Sequence, residues 1–320
     1  MIHRAAAGAV ALAVTAAHAA PGEDALAWLQ RAAQAARSVS YAGTFVHTNG
    51  DRTSTVRITH AISGNDEHER IEPLDGPAYE IVRKNDEMFC YFPDAKTVRL
   101  DRRVTARFFP AVVSGTPTAV HASYDVKLGS TEQVLGHECR WIRLEPRDAM
   151  RHGQGICSEV STGLPLRART FNDKHQPVEH YTFTDLKIGP QAARTDMKSI
   201  FDARVKRWMS DAQPRDETKT ADTGWAVTNA PAGFFKVTEL RRSLPGREHP
   251  VSQLIYSDGV ASLSVFVEPN KAPARNGDAS TEDGATSFFV RPMGETLVSV
   301  LGEVPLATAQ QVARSVARRP

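Results

Sequence analysis

The chain has 320 residues, about twice the length of an average domain, so two domains are expected. Hydrophobic residues make up 41% and charged residues 24%, which excludes a disordered chain and a protein with many membrane spans. The formal net charge is +2, which gives no support to nucleic-acid binding, since that needs a basic surface. Three cysteines without paired spacing are too few for a disulfide scaffold or a thiolate zinc site.

The first 19 residues have the pattern of a secretory signal peptide. Arg4 supplies the early positive charge, Gly8–Ala17 is a short apolar stretch, and Ala17-His18-Ala19 is a small-residue cleavage site. The alternative is an ordinary Ala-rich helix start. The apolar stretch is too short to span a bilayer, and no later stretch reaches 18 apolar residues, so no transmembrane span is expected. We therefore expect a mature protein outside the cytoplasm, where cysteines can oxidise.

The long first unit is predicted to be a mainly antiparallel sheet. Asp24–Arg37 has helical spacing, and the period then changes to two. Asn49-Gly50 supplies the positive φ of a type I′ hairpin turn. Later turn residues predict about six strands, a helical insertion at Val104–Val113 that Pro110 bends or ends, and about five more strands. A sheet of that size needs helices or an apolar ligand across one face.

A smaller second unit follows a polar segment. Ser210–Thr223 has no large apolar residue, which predicts a linker over 201–223. Residues 224–320 predict five antiparallel strands and one covering helix at Leu306–Arg318, with a long turn-rich loop at Glu268–Gly284. The predicted fold class is therefore α+β and mainly antiparallel, with a first domain at 24–200 and a second at 224–320.

No sequence motif in the chain predicts catalysis. There is no G-x-S-x-G, no H-E-x-x-H, no phosphate-binding glycine loop and no C-x-x-C. His137-Glu138 stands beside Cys139, but neighbouring strand residues face opposite ways and cannot act as base and nucleophile. We expect no enzyme, no cofactor and no metal site.

Two of the cysteines suggest a disulfide. A hairpin of His137–Glu145 and Gly153–Val160 that turns near Asp148 would place Cys139 directly opposite Cys157. The alternative is that these cysteines, like Cys90, are buried thiols.

Short segments in both units resemble one protein family. Asp75-Gly76-Pro77, Glu80-Ile81-Val82-Arg83 and Gly163-Leu164-Pro165-Leu166 resemble the N-terminal domain of the RseB/MucB family, periplasmic regulators of the sigma-E envelope-stress response. The second unit is more similar still. Its matching segments are Pro231-x-Gly233-Phe234, Tyr256–Val267 and Gly302-Glu303-Val304-Pro305. Cys157 departs from the family pattern, which has a large aromatic residue there.

The resemblance implies an architecture and a regulatory role. The first domain would be an open, curved half-barrel with a helical plug, as in the lipoprotein carriers LolA and LolB, and would accept acyl chains. The second would bind the periplasmic region of the membrane-bound anti-sigma factor (RseA/MucA), shield it from the site-1 protease and keep sigma-E inactive. Lipopolysaccharide or lipoprotein acyl chains would release it, with no nucleic acid involved.

Candidate residues follow from this role. The candidate anti-sigma contacts are Arg241, Arg242, Tyr256 and Asp258; the alternatives are a solvated strand end for the arginines and simple turn chemistry for Asp258. The candidate lipid pocket is Phe45, Ile58, Ile81, Phe89, Tyr91 and Trp141, although such residues are more often plain core. A periplasmic lipoprotein or lipid carrier remains the alternative function, and it would not need the second domain. A hydrolase with a dispersed site is the third possibility.

Overall fold

The computed structural model describes residues 24–85, 87–94, 96–102, 108–114, 116–192, 221–242, 249–271 and 276–319. The predicted signal peptide and residues 201–220 of the predicted linker lie outside these ranges. Among the described residues, no helix is both long and apolar enough to cross a membrane.

In the described part of the first domain, an eleven-stranded antiparallel sheet is accompanied by two helices. The sheet order is β6-β5-β4-β3-β2-β1-β11-β10-β9-β8-β7, so the first and last strands in sequence are neighbours in the middle of the sheet. Its elements are α1 (Ala25–Ser38), β1 (Tyr41–Asn49), β2 (Arg52–Ser63), β3 (Asp66–Pro73), β4 (Glu80–Lys84), β5 (Glu87–Phe92), β6 (Thr97–Arg102), α2 (Pro117–Ser123), β7 (Tyr124–Val134), β8 (His137–Pro146), β9 (Gly153–Glu159), β10 (Pro165–Phe171) and β11 (Pro177–Ile188).

Local sequence explains the first hairpin and the first helix. Asn49 pairs with Arg52, so the two turn residues are Gly50 and Asp51, one residue later than the predicted Asn49-Gly50 turn. Gly50 has a φ of 58° and Asn49 has no positive φ, so the hairpin is confirmed but its type I′ Asn-Gly turn is wrong. The Asp24 side chain accepts a hydrogen bond from the Leu26 amide and so caps α1.

The buried side of α1 covers part of the sheet. Trp28 and Leu29 of this helix lie in one buried cluster with Ile142 and Ile156 of the sheet. The face of the sheet that carries Ile142 and Ile156 is called the helix-covered face below, and the other is called the outer face.

The predicted helix at Val104–Val113 is wrong in its described part. Residues 108–114 contain turns and irregular backbone, while 103–107 lie outside the described residues. The helix begins instead at Pro117, where the Thr116 side chain accepts from the Ala119 amide at 3.3 Å. Proline at the first helical position after a threonine cap is a strong helix start, whereas Pro110 follows a phenylalanine, which cannot cap a helix.

The second domain is a six-stranded antiparallel sheet covered by one helix. Its sheet order is β13-β14-β15-β18-β17-β16, and a two-stranded β12-β19 pair lies beside it. The elements are β12 (Trp225–Val227), β13 (Phe235–Arg242), β14 (Val251–Ser257), β15 (Ser262–Pro269), β16 (Ala279–Asp283), β17 (Thr286–Met293), β18 (Thr296–Gly302), α3 (Leu306–Arg314) and β19 (Val316–Arg318). The fold class is thus α+β and mainly antiparallel, as predicted.

Two details of the second domain differ from the prediction. The turn-rich segment Glu268–Gly284 contains the edge strand β16, whose side chains are almost all polar and so gave no hydrophobic alternation. The last helix ends at Arg314, because Val316–Arg318 leaves it to pair with Trp225–Val227.

The structure joins Cys139 and Cys157 in a disulfide, with a Cα–Cα distance of 5.4 Å. The suggested disulfide is present, but the predicted register of the two strands is wrong by one residue at the turn. Cys139 lies opposite Glu159, and Trp141 lies opposite Cys157, so the two cysteines are diagonal neighbours on one face rather than a direct pair. The hairpin therefore turns one residue later than the spacing suggested. Cys90 is not part of this disulfide.

Replacement of both half-cystines, Cys139→Ser with Cys157→Ser, should lower the free energy of unfolding by about 3 kcal/mol, because the bridge constrains a short loop in the unfolded chain. Urea denaturation followed by circular dichroism measures the change. The matched control is Cys90→Ser, which removes a thiol without opening a bridge and should shift the midpoint little. An unchanged midpoint in the double variant would contradict the expected role of the disulfide.

Glu239 on β13 holds the two ends of the second domain together. Its carboxylate accepts hydrogen bonds from the amide and hydroxyl of Thr223, at 2.7 and 2.6 Å, and pairs with Lys236 at 2.7 Å and with Arg319. Burial alone would raise the pKa of Glu239, but the hydrogen bonds from Lys236, Thr223 and Arg319 outweigh it and lower the pKa from 4.5 to about 2.

The lowered pKa of Glu239 makes stability depend on pH. Its contribution, at most about 3 kcal/mol, is present above pH 4.5 and is lost as the pH falls towards 2. Urea denaturation at pH 7 and pH 3 should show a smaller acid-induced loss in Glu239→Gln than in the wild type. The control is Glu138→Gln, an exposed position. Equal losses in the wild type and in Glu239→Gln would contradict this assignment.

Candidate binding sites

The helix-covered face carries a cluster of aromatic rings around Phe109. The Phe109 ring centroid lies 5.1 Å from Phe45, 5.2 Å from Tyr181 and 5.1 Å from Phe183. Phe45 pairs with Phe183 across β1 and β11, which places both rings on the same face. Phe109 comes from the irregular segment 108–114, not from the sheet, and is only 3% exposed.

A polar group stands at the edge of this cluster. The Glu179 carboxylate is 2.8 Å from Nε2 of His47 and accepts hydrogen bonds from Thr170 and Tyr181, both at 3.0 Å. Burial alone would raise the pKa of Glu179, but the hydrogen bond and charge of His47 outweigh it and lower that pKa. Burial, with the nearby charge of Glu179, raises the pKa of Tyr181. The aromatic cluster therefore has one anionic edge.

The six predicted pocket residues divide between the two faces of the sheet. Residues that pair directly across strands share a face, and successive residues alternate. Phe45 pairs with Val56, Ile58 with Ile71, and Ile71 with Ile81, so Phe45, Ile58 and Ile81 lie together on the helix-covered face.

The other three predicted pocket residues lie on the outer face. Ile81 pairs with Cys90, so Phe89 and Tyr91 point away from it and instead form a small cluster with Val82 and Val98. Trp141 alternates with Ile142 and pairs with Cys157, and it joins the buried core from the outer side. The register therefore separates Phe89 and Tyr91 from Phe45. Trp141, although it alternates with Ile142, belongs to the same buried cluster as Phe45, Ile58 and Ile81, and a lipid-binding role for any of the six residues stays a prediction.

Trp141 has its own set of contacts on the outer face. Its indole nitrogen donates to Glu132 at 3.0 Å, and the Arg169 guanidinium lies 4.8 Å from its ring. Glu132 also lies close to both cysteine sulfurs. Those sulfurs are bonded to each other, so they are not thiolate ligands for a metal.

The two domains meet at a buried ion pair between Arg151 and Asp258. Nη1 of Arg151 is 2.6 Å from Oδ2 of Asp258, and both side chains are fully buried. Tyr124 donates a hydrogen bond to the same carboxylate oxygen at 3.2 Å, while Arg151 also pairs with Asp148 at 2.9 Å. Burial, followed by the charge of Asp258, raises the pKa of Tyr124 well above its usual value. This group is called the domain clasp below: Tyr124, Arg151 and Asp258.

Hydrogen bonds within one turn of the second domain orient the Asp258 side chain towards the first domain. Oδ1 of Asp258 accepts from the amides of Val260 and Ala261, at 2.9 and 2.8 Å, which closes the Ser257–Ala261 turn and leaves Oδ2 for Arg151. Gly233 has a φ of 82°, and a Cβ there would lie 2.3 Å from the Ser123 hydroxyl, so a glycine is needed for this close approach. The segments around Gly233 and Asp258, which carry the family resemblance, therefore build the domain junction.

Further contacts extend the junction on both sides of the domain clasp. Ser114 donates to the Gly259 carbonyl from its amide, at 2.8 Å, and from its hydroxyl, at 3.2 Å. Thr308 of α3 donates to the Met150 carbonyl at 2.9 Å. The Asn49 side chain of the first hairpin turn accepts from the Ala285 amide at 2.8 Å and donates to Thr286 at 3.1 Å.

The predicted anti-sigma contacts are in different environments. Arg241 is exposed and Arg242 is half-buried at the end of β13, an edge strand of the second sheet. Tyr256 is 8% exposed within the second core, and Asp258 is 1% exposed in the domain clasp. In this arrangement Asp258 closes the turn and pairs with Arg151 at the junction, and a contact with a partner stays a prediction. Sequence reasoning missed Arg151, since nothing in its local pattern marks an arginine in a loop as buried.

The geometry described so far defines a two-domain protein of antiparallel sheets joined by a buried ion pair. Residues 24–201 match the model of the MucB/RseB N-terminal domain, and residues 219–317 match that of the MucB/RseB C-terminal domain. Together these matches span most of the chain, which belongs to the MucB/RseB family.

Named relatives agree with the family assignment. The chain is 33% identical to the sigma factor AlgU regulatory protein MucB of Pseudomonas aeruginosa, over 92% of this chain and 90% of that protein. It is 25% identical to the sigma-E factor regulatory protein RseB of Escherichia coli K12, over 94% and 92% of the two chains. Both relatives are named as regulatory proteins rather than enzymes.

Two solved structures resemble more than nine-tenths of the chain. The Pseudomonas aeruginosa MucA/MucB complex contains a chain that is 30% identical, with a TM-score of 0.74 over 92% of this chain and 99% of that one. A second structure, MucB in complex with MucA(peri), gives a TM-score of 0.71 at 29% identity, over 93% of this chain and all of that one.

Replacement of Arg151 by alanine should lower the free energy of unfolding by about 3–5 kcal/mol, because Asp258 would remain charged and buried without its partner. The control is Arg147→Ala in the same loop. Arg147 pairs with Asp125 at 2.7 Å, but both side chains are about half exposed, so its loss should cost below about 1 kcal/mol. Urea denaturation of both variants makes the comparison, and equal small effects would show that the buried pair does not hold the junction.

Proposed function

We propose that this protein binds the periplasmic region of a membrane-bound anti-sigma factor and shields it from the site-1 protease, which keeps a sigma-E-type factor inactive. The observation that carries the proposal is the likeness to MucB in complex with MucA, which covers 92% to 93% of this chain and so includes both domains. A protein that acts by covering a partner needs a rigid surface and no catalytic group. The buried domain clasp provides such rigidity.

The proposed location is the periplasm. Residues 1–19 have the signal-peptide pattern, and the relatives over nearly the whole chain are sigma-E and AlgU regulatory proteins. In that compartment the protein would regulate transcription through protein contact alone.

The second domain is the proposed site for the anti-sigma factor, with Arg241 as the first candidate contact. Arg241 is exposed on the edge strand β13, where its guanidinium can meet a carboxylate of an extended acidic segment. Arg242 follows it in the same strand. Tyr256 would contribute indirectly, because it packs in the core of the second domain and supports the sheet that carries Arg241.

The helix-covered face of the first domain is the proposed site for acyl chains of lipopolysaccharide or lipoproteins. The proposed pocket includes Phe45, Ile58 and Ile81 from the sequence prediction, together with the rings of Phe109, Tyr181 and Phe183 that pack beside them. Lipid would release the anti-sigma factor only if it binds the free protein more tightly than the complex.

The second domain weighs against a simple lipid carrier. A carrier would need the first domain alone, whereas residues 219–317 match the C-terminal domain of the regulator family and are joined to the first domain by a buried ion pair.

Charge reversal at Arg241 tests the proposed partner site. Arg241→Glu should weaken binding of a synthetic peptide that spans the periplasmic region of the cognate anti-sigma factor by at least about tenfold, because a charge-assisted contact becomes repulsive. Titration calorimetry measures the affinity. The control is Arg143→Glu, an exposed position on the first sheet. Equal affinities for all three proteins would place the partner elsewhere, and no binding to the wild type would overturn the proposed function.

A further inference from the structure

Phe109 fills the place in the first domain where an acyl chain would bind. Its ring stands between Phe45, Tyr181 and Phe183 at centroid distances of 5.1 to 5.2 Å, and it is 3% exposed. The other three rings belong to neighbouring sheet strands, whereas Phe109 belongs to an irregular segment. A ring on such a segment can leave the cluster without breaking the sheet.

The same segment is attached to the second domain five residues later. The amide and the hydroxyl of Ser114 both donate to the carbonyl oxygen of Gly259. Five residues span at most about 17 Å, so a large displacement of Phe109 pulls on Ser114 unless the segment refolds.

The chain then passes through α2 and returns to the same turn. α2 ends at Ser123, and the next residue, Tyr124, donates its hydroxyl to Asp258. Val113, Val120 and Tyr124 lie in one buried cluster against which Val260 of the second domain packs. Ser114, before α2, and Tyr124, after it, therefore both contact the Ser257–Ala261 turn, while Phe109, five residues before Ser114, occupies the apolar pocket.

We propose that Phe109 is an internal occupant of the acyl site, and that an acyl chain which displaces it detaches Ser114 from Gly259 and loosens the junction at the domain clasp. This inference rests on the proposed function, whose lipid site it identifies and connects to the second domain. Lipid binding and an intact domain junction would then oppose each other. When a ligand fills the pocket, the segment 108–114 cannot keep Phe109 in the pocket and Ser114 bonded to Gly259 as before.

The test uses the full chain and, as the probe, a synthetic lipopeptide that carries three palmitoyl chains at its N-terminal end and a tail of lysines. Hydrogen–deuterium exchange at the Ser114 amide reports its bond to Gly259, and fluorescence titration reports lipopeptide affinity.

In the wild type, saturating lipopeptide should speed exchange at Ser114 by at least about tenfold. In Phe109→Ala, which removes the internal competitor, lipopeptide should bind at least about tenfold more tightly. Phe109→Leu, a milder change that keeps the pocket filled, should give an intermediate affinity.

The matched control is Phe171→Ala, an aromatic truncation on the outer face. A Cβ at Gly155 would lie 3.3 Å from the ring of Phe171 and 3.2 Å from that of Trp141, which places Phe171 beside Trp141. This variant should bind lipopeptide as the wild type does.

Lipopeptide binding without faster exchange at Ser114 would overturn the coupling and leave the proposed lipid site standing. Equal affinity in the wild type, Phe109→Leu and Phe109→Ala would overturn the role of Phe109, and no binding to any variant would overturn the lipid site itself.

Discussion

The ion pair between Arg151 and Asp258 is the interaction on which the arrangement of this molecule depends. Each charge is fully buried, and each comes from a different domain. Desolvation of an isolated charge costs several kcal/mol, so neither side chain can remain in place without the other. Asp148 and Tyr124 complete the hydrogen bonds of the pair, which makes the separation of the domains a discrete event rather than a gradual one.

The position of this pair gives the two domains a shared element. The turn that carries Asp258 also accepts the hydrogen bonds of Ser114 through Gly259, and Ser114 belongs to the segment that places Phe109 in the aromatic cluster. An apolar pocket in one domain and a rigid junction to the other are thus built from one short stretch of chain. Under the proposed function, this stretch would connect the lipid site of the first domain to the partner site of the second.

Local sequence signals predicted much of the fold, because hairpins and helix starts depend on a few adjacent residues. Asn49-Gly50 predicted a hairpin whose turn forms one residue later, at Gly50 and Asp51, and about eleven strands were expected in the first domain. The exact register between paired strands was harder to predict from local sequence. A shift of one residue at the turn between β8 and β9 decides which residue lies opposite Cys157, and the alternation along β5 puts Phe89 and Tyr91 on the outer face. Arg151 and Phe109 were missed for a similar reason, since the groups that bury them lie far away in the sequence.

The most direct measurement is the affinity for the periplasmic peptide of the cognate anti-sigma factor with and without the saturating tripalmitoylated lipopeptide. Linkage requires that each ligand weaken the other by the same factor. The account predicts at least about a tenfold loss of peptide affinity when lipopeptide is bound, and an equal loss of lipopeptide affinity when the peptide is bound. An unchanged peptide affinity at saturating lipopeptide would contradict the account.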